Sequence, residues 1–369
     1  MAQEQRFSKP TYELTEKDLQ EIDEINPDIC LLTGGTDGGN KENIVYNARM
    51  LARAKNHFPI IIAGNRNCAD QCEEILKDKQ TYVCENVMPR LDIPNVEPVQ
   101  QKIRSIFLEQ IVKAKGLSNA EQLIQGILMP TPSAMLTAMK LLAKGTKDED
   151  GIGDLVGVDL GGATTDIYSM SYGLPTTGMT ALKGLREEYA KRTVEGDIGM
   201  RYSVRGILDA AGPGKLSRIS GLPVPRVTQL VQFLREHTDT LPSGNPELEA
   251  LDRALASCAI ETAVTRHAGT IEEAYTLMGL TYVQTGKDLT QTQNLVVTGG
   301  SLIHTQQTSK IASYALYDPA QPMSLRPKKA QVLVDRQYIL SAMGLLAASH
   351  PACALRIMKK EIKVDGDPK

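Results

Sequence analysis

Three short apolar runs each end in a pair of glycines: DICLLT before Gly34-Gly35, LVGVDL before Gly161-Gly162, and NLVVT before Gly299-Gly300. Apolar runs of this length without polar alternation predict strands buried on both faces, in sheets covered by helices. Further strands are predicted over 59–63, 80–84 and 332–334, and the strand after Gly161-Gly162 over 164–170 forms a strand–turn–strand unit with 155–160. Elsewhere the spacing is helical: Ile44, Ala48, Leu51 and Ala52 share one face of a helix over 40–55. Other helices are predicted over 16–25, 69–77, 101–115, 119–127, 132–144, 197–210, 225–237, 246–267 and 337–348, while the Gly- and Pro-rich 213–226 reads as loops. Strands alternating with helices at these intervals specify an α/β fold with a parallel sheet.

A chain of 369 residues predicts two domains, and the small, charged, unpatterned stretch 145–153 divides them into 1–150 and 151–369. The longest apolar run, Phe58 to Ala63, is far short of the roughly 18 residues that span a bilayer, and the opening MAQEQRFSKP has no apolar core of a signal peptide. A net charge of −3 and the absence of Trp argue against nucleic-acid binding. Of the six cysteines only Cys68 and Cys72 are close, without the second pair of a zinc site. A cytoplasmic protein with reduced thiols, binding neither membrane nor nucleic acid, is expected.

Glycine at a strand end lets backbone N–H groups approach a ligand, but many such turns hold nothing. Around Gly34 the lysine of TGGTDGGNK is out of register for a phosphate-binding P-loop. The glycines at 151, 153 and 157 precede their strand instead of following it, which defeats a dinucleotide-binding reading. Around Gly161 the neighbours are richer. Asp159 and Asp166 flank Gly161, Gly162, Ala163, Thr164 and Thr165, so two carboxylates stand beside amide and hydroxyl donors. The donors suit phosphate oxygens, and the carboxylates suit a hydrated Mg²⁺ or an attacking water. The alternative is a surface hairpin whose aspartates cap the turn.

VDLGGATTDIYS, from Val158 to Ser169, resembles the second phosphate motif of the actin-like ATPase superfamily. Met129 to Leu136, opening a helix, and Ile339 to Ala347 resemble its two connecting motifs, where helices cross closely, and VVTGGS from Val296 to Ser301 resembles its adenosine motif. TGGTDGGN at 33–40, ENVMPR at 85–90, MPTP at 129–132 and RTVEGDIGMRYS at 192–203 narrow the resemblance to the MutL/GlmL family, accessory proteins of adenosylcobalamin-dependent mutases and aminomutases that are unrelated to mismatch-repair MutL.

The resemblance implies a two-lobed actin-like (ribonuclease H-like) fold and a chaperone-like reactivating factor that binds ATP or ADP with Mg²⁺. It places Asp159 and Asp166 at the cation and the reacting water, Gly161 to Thr165 on phosphate, and Gly299, Gly300 and Ser301 at the nucleoside. Glu195, Gly196 and Asp197 would reach the nucleotide, although Asp197 suits a helix N-cap equally well. Glu261, Thr265 and Arg266 could line an adenosine pocket or simply a solvated helix face.

Two departures temper this expectation. Residues 1–27 contain no glycine, so the superfamily's first phosphate hairpin is missing and the first lobe would lack its N-terminal strands. That segment would then lie on a small partner chain or have been removed, or self-association would cover the gap. Met129 stands where chaperone ATPases carry a glutamate, and a thioether is no substitute in Mg²⁺ chemistry. Binding is therefore expected more than hydrolysis by this chain alone. Two other classes stay open: a small-molecule kinase, and a non-hydrolysing scaffold that binds the mutase.

Overall fold

The computed structural model describes residues 13–114, 129–276, 279–305 and 307–365. The chain forms two compact units, Met1–Gly126 and Ile127–Lys369. In the first, α1 (Glu16–Ile25), β1 (Cys30–Leu32), α2 (Glu42–Ala52), β2 (Ile60–Ile62), α3 (Ala69–Ile75), β3 (Thr81–Val83) and α4 (Glu97–Ala114) follow one another, and the strands form a parallel sheet in the order β1-β2-β3. The central strand β2 is buried throughout because it is covered twice. Ile60 and Ile62 pack with Ile44, Ala48 and Leu51 of α2 and Cys72 of α3, while Ile61 packs with Val99 and Ile106 of α4. Thr15 and Asp18 form a reciprocal capping box at the start of α1. The helix predicted over 119–127 lies outside the described residues.

The second unit runs α5 (Thr131–Lys144), β4 (Leu155–Leu160), β5 (Thr165–Met170), β6 (Thr180–Lys183), β7 (Ala190–Glu195), α6 (Val204–Ala211), α7 (Pro213–Ser220), α8 (Val224–Glu236), α9 (Pro246–His267), β8 (Thr270–Thr276), β9 (Gly279–Thr285), β10 (Asn294–Thr298), α10 (Gly300–Ile303), α11 (Thr308–Ala312), β11 (Gln331–Val334), α12 (Leu340–Ala347), α13 (Pro351–Glu361) and β12 (Lys363–Val364). A six-stranded sheet has the order β12-β11-β10-β4-β5-β7. It is mixed: β10 runs parallel to β4 and β11, whereas β5 is antiparallel to β4 and β7. A smaller sheet, β6-β9-β8, lies beside it in the sequence. The stretch 145–153, where the sequence suggested a boundary, is the turn between α5 and β4, with Ile152 N donating to Leu142 O.

Strand alternation sorts the large sheet's side chains into two cores. Val156, Val158, Leu160, Ile167, Leu295 and Val297 pack with α6, α8 and α9, and Leu155, Tyr168, Met170 and Val296 pack with α5, α12 and α13. Helix α7 corrects the loop expectation for 213–226. Pro213 occupies its first turn, where the missing N–H costs nothing, and Gly221 ends it in the left-handed conformation. These punctuating residues bound a helix; they do not interrupt one. No helix among the described residues is long and apolar enough to cross a membrane.

Helices α5 and α12 come from the two segments read as connecting motifs, and they cross at backbone contact. A Cβ added at Gly344 would overlap the carbonyl oxygen and carbon of Ala134. Gly344→Ala should therefore lower unfolding free energy by about 1–3 kcal/mol, the usual cost of overpacking. Gly214, in α7, has open space around its missing Cβ. Gly214→Ala should be neutral or raise stability by up to about 1 kcal/mol through helix propensity. Denaturant melts of both variants check the opposite signs.

Candidate functional site

The hairpin β4–β5 pairs Leu160 with Thr165 and Asp159 with Asp166, leaving 161–164 as the turn. Because Val158 and Leu160 face α9, Asp159 must point to the opposite face, and Asp166 shares that face as its cross-strand partner. On the other side Asp159 pairs with Thr298 of β10, whose Oγ1 lies 3.3 Å from Asp335 Oδ2 just past β11. Asp166, Asp159, Thr298 and Asp335 thus form a polar row across four adjacent strands at one end of the sheet.

The three carboxylates are not equivalent. Arg192 of β7 holds Asp166 through Nε at 2.7 Å, and Thr164 Oγ1 donates to it at 3.5 Å. Asp335 accepts the amides of Ile339 at 2.9 Å and Leu340 at 3.1 Å, capping α12. Burial nevertheless pushes the Asp335 pKa up. Asp159 Oδ1 is buried with no hydrogen-bond partner. Desolvation first, then the neighbouring Asp166 and Asp335, raise the Asp159 pKa to about 6, with Arg192 offsetting part of the effect.

The three glycine turns differ in what their amides do. In the first unit, Gly38 N donates to Asn65 Oδ1 and Asn67 Oδ1, Gly39 N to Thr36 O, and Asn86 Nδ2 closes onto Gly35 O and Asp37 Oδ1. Those bonds close the loop from one side, while the amides of Gly35 and Thr36 have no acceptor among the described residues. In the turn after β4, Gly161 N donates to Thr164 O at 3.0 Å, and the Gly162 carbonyl accepts from Arg201 and Tyr202. The amides of Gly162, Ala163 and Thr164 have no acceptor among the described residues, and Gly162 and Ala163 are exposed. Thr165 is turned inward and spends its hydroxyl on Ile198 O at 2.9 Å, so of the expected phosphate ligands it and Gly161 N are already engaged. In the third turn Gly299, at φ +103°, brings β10 against the end of β4; a Cβ there would overlap the Leu160 carbonyl. Gly300 and Ser301 follow as the first residues of α10, placing that turn beside the hairpin.

Glu195 pairs with Thr165 in register, and Gly196 and Asp197 follow it. Asp197 is not a helix cap: Ser203 precedes α6, and Asp197 instead accepts from Arg266 Nη1 at 2.8 Å, as Glu195 does at 2.7 Å. Arg266 holds the Asp197 carboxyl below its usual range. The Arg266 end of α9 borders a cavity of about 370 Å³ lined by Lys215, Glu261, Thr262, Thr265 and Gln321, among others. Lys215 Nζ bridges both Glu261 oxygens at 2.6 Å, and Thr265 Oγ1 is buried without a partner. The α9 residues therefore line a pocket, not a plain solvated face. Arg266 links that pocket to β7, the strand paired with β5. Sequence reasoning missed Arg192, Lys215 and Asp335. The last had a signal: an acid just past an apolar strand and before a helix.

Mg²⁺ keeps most of its waters and uses one or two carboxylates beside substrate phosphates. Asp159, with its unpartnered oxygen beside open amides, fits that pattern. Asp166 is already claimed by Arg192, so the expected pair reduces to one available carboxylate. Among the described residues no group of three or more His, Cys, Asp or Glu side chains could hold a metal by itself.

Well below pH 4, by about pH 3, the Asp159 carboxyl is neutral in the folded chain and mostly neutral in the unfolded one. Above pH 6 the folded chain must hold a charge that the unfolded chain holds freely, so stability at this site falls as pH rises between those limits. Asp159→Asn should gain about 1–2 kcal/mol over the parent at pH 7.5, after allowance for partial solvent screening, and the gap should close by about pH 3. Urea melts of both proteins across this range check the sign.

A family model described as MutL protein matches residues 8–362. Protein MutL of Clostridium tetanomorphum is 47% identical over 352 residues, covering 95% of this chain and 76% of that protein. With the match running through both units and the hairpin, the chain belongs to the MutL protein family.

Proposed function

We propose that this chain is an adenine-nucleotide-binding accessory factor for an adenosylcobalamin-dependent mutase of the glutamate mutase type, and that it reactivates the mutase as a chaperone does. Membership of the MutL family supports the accessory role. The observation that carries the nucleotide is the turn 161–164: three amides without acceptors among the described residues stand two to five positions past Asp159, whose buried Oδ1 is likewise unpartnered among them. Gly162, Ala163 and Thr164 donate to phosphate oxygens, and Asp159 holds a water of a hydrated Mg²⁺. Bound Mg²⁺ would neutralise phosphate charge that the carboxylates otherwise repel. The cavity by α9 takes the nucleoside, with Glu261 and Thr265 as its polar groups and Arg266 at the side toward Glu195 and Asp197.

A second reading, a scaffold that binds nucleotide without hydrolysing it, is favoured by the Arg192–Asp166 pair, which withdraws one of the two expected carboxylates. Calorimetry with ADP and ATP, with and without Mg²⁺, tests the common part. The unchanged chain should bind both, and Asp159→Ala should lose the Mg²⁺-dependent part while melting no lower than the parent. Equal Mg²⁺-dependent binding by that variant would remove Asp159 from the site. Phosphate release on adding inactivated mutase separates the reactivating ATPase from the scaffold, and ADP formation driven by a small acceptor alone would point to a kinase.

A further inference from the structure

Between β11 and α12 the chain turns through Tyr338, which has φ +54°. A bulky side chain in the left-handed region is strained, and such strain persists only where surrounding bonds enforce it. Here they do. Tyr338 N donates to Asp335 O at 3.1 Å, while the Asp335 carboxylate takes the amides of the next two residues, Ile339 and Leu340. Asp335 N in turn donates to Val297 O, tying the turn to the sheet at the end of the polar row. The ring gains little burial for this strain, since Tyr338 stays 55% exposed. What the turn does secure is position, three residues past Asp335 at the end of the polar row, where Asp159 first, then burial and Asp335, push the phenol's pKa up.

We propose that Tyr338 is a positioning residue of the site, its phenol donating a hydrogen bond to the terminal phosphate of a bound nucleoside triphosphate or to the water between that phosphate and Asp159. The inference rests on the nucleotide reading above. Its chemical basis is the sign of the neighbours. A phosphate approaching Asp159 meets a second carboxylate at Asp335, and both can only accept when ionised. A neutral O–H donor at their edge supplies attraction without adding a charge that would pair with either acid and be lost to the phosphate. Gly or Asn would relieve the turn but carry no phenol, so the strain and the hydroxyl belong to one device.

Calorimetry and thermal melts of the parent, Tyr338→Phe and Tyr338→Gly test it, using ATP and ADP with Mg²⁺. Tyr338→Phe should melt with the parent, bind ATP about tenfold more weakly and bind ADP as before, as expected for one hydrogen bond to a charged group. Tyr338→Gly should melt higher and show the same ATP-specific loss. The chain contains no tryptophan, so Tyr338→Trp carries its sole indole. Emission from that indole should change on adding ATP and Mg²⁺, and change less with ADP. Parent-like ATP binding by Tyr338→Phe overturns the role of the phenol while leaving the nucleotide reading intact. An equal loss for ATP and ADP, or a silent indole in a chain that binds ATP, overturns it as well. If the parent binds neither nucleotide, the fault lies in the nucleotide reading, and the role of Tyr338 falls with it.

Discussion

Strand β4 is apolar at every position but one, and that exception governs the second unit. Five of its six residues are buried between helices on both faces, so the strand's register cannot slip without turning Asp159 into the α6–α9 core. With the register fixed, Asp159 stands at the strand's end, opposite Asp166 and beside Thr298. Its charge is costly there: burial, Asp166 and Asp335 add to the cost, and Arg192 offsets only part of it. It is the acid of this hairpin whose buried oxygen has no hydrogen-bond partner among the described residues.

The surrounding framework holds this arrangement still. Arg201 anchors the segment behind the turn, pairing with buried Asp252 at 2.7 Å while its own amide donates to Gly162 O. Breaking a buried pair of this kind leaves an uncompensated charge, so the turn's backing is rigid for the same reason that it is expensive to disturb. Arg192 does the equivalent for Asp166. Each acid near the turn is tied down by an arginine or by a helix N-terminus, except Asp159.

Much of this was legible in the residues. The buried strands, the hairpin and the long helix α9 follow from apolar runs and from 3.6-residue spacing, and the close crossing of α5 and α12 is what the resemblance of their segments implies. Other features were not. The Gly- and Pro-rich 213–226 reads as loop because the same residues that break helices also start and stop them, and only the intervening Leu216 finding a core decides between the two. Asp197 offered two roles in sequence, and the structure gave it a third partner, Arg266, from a segment about seventy residues away.

By itself the sequence determined the α/β layering, the pairing of Asp159 with Asp166 across one hairpin, and the family. These depend on local periodicity and on motifs whose residues are neighbours in the chain. Tertiary structure alone decided which aspartate has a buried oxygen without a partner among the described residues, and that Glu261, Thr265 and Arg266 border a cavity. Those outcomes depend on side chains arriving from distant strands and helices to fill or leave each hydrogen-bonding position, and spacing along the chain does not encode their arrival.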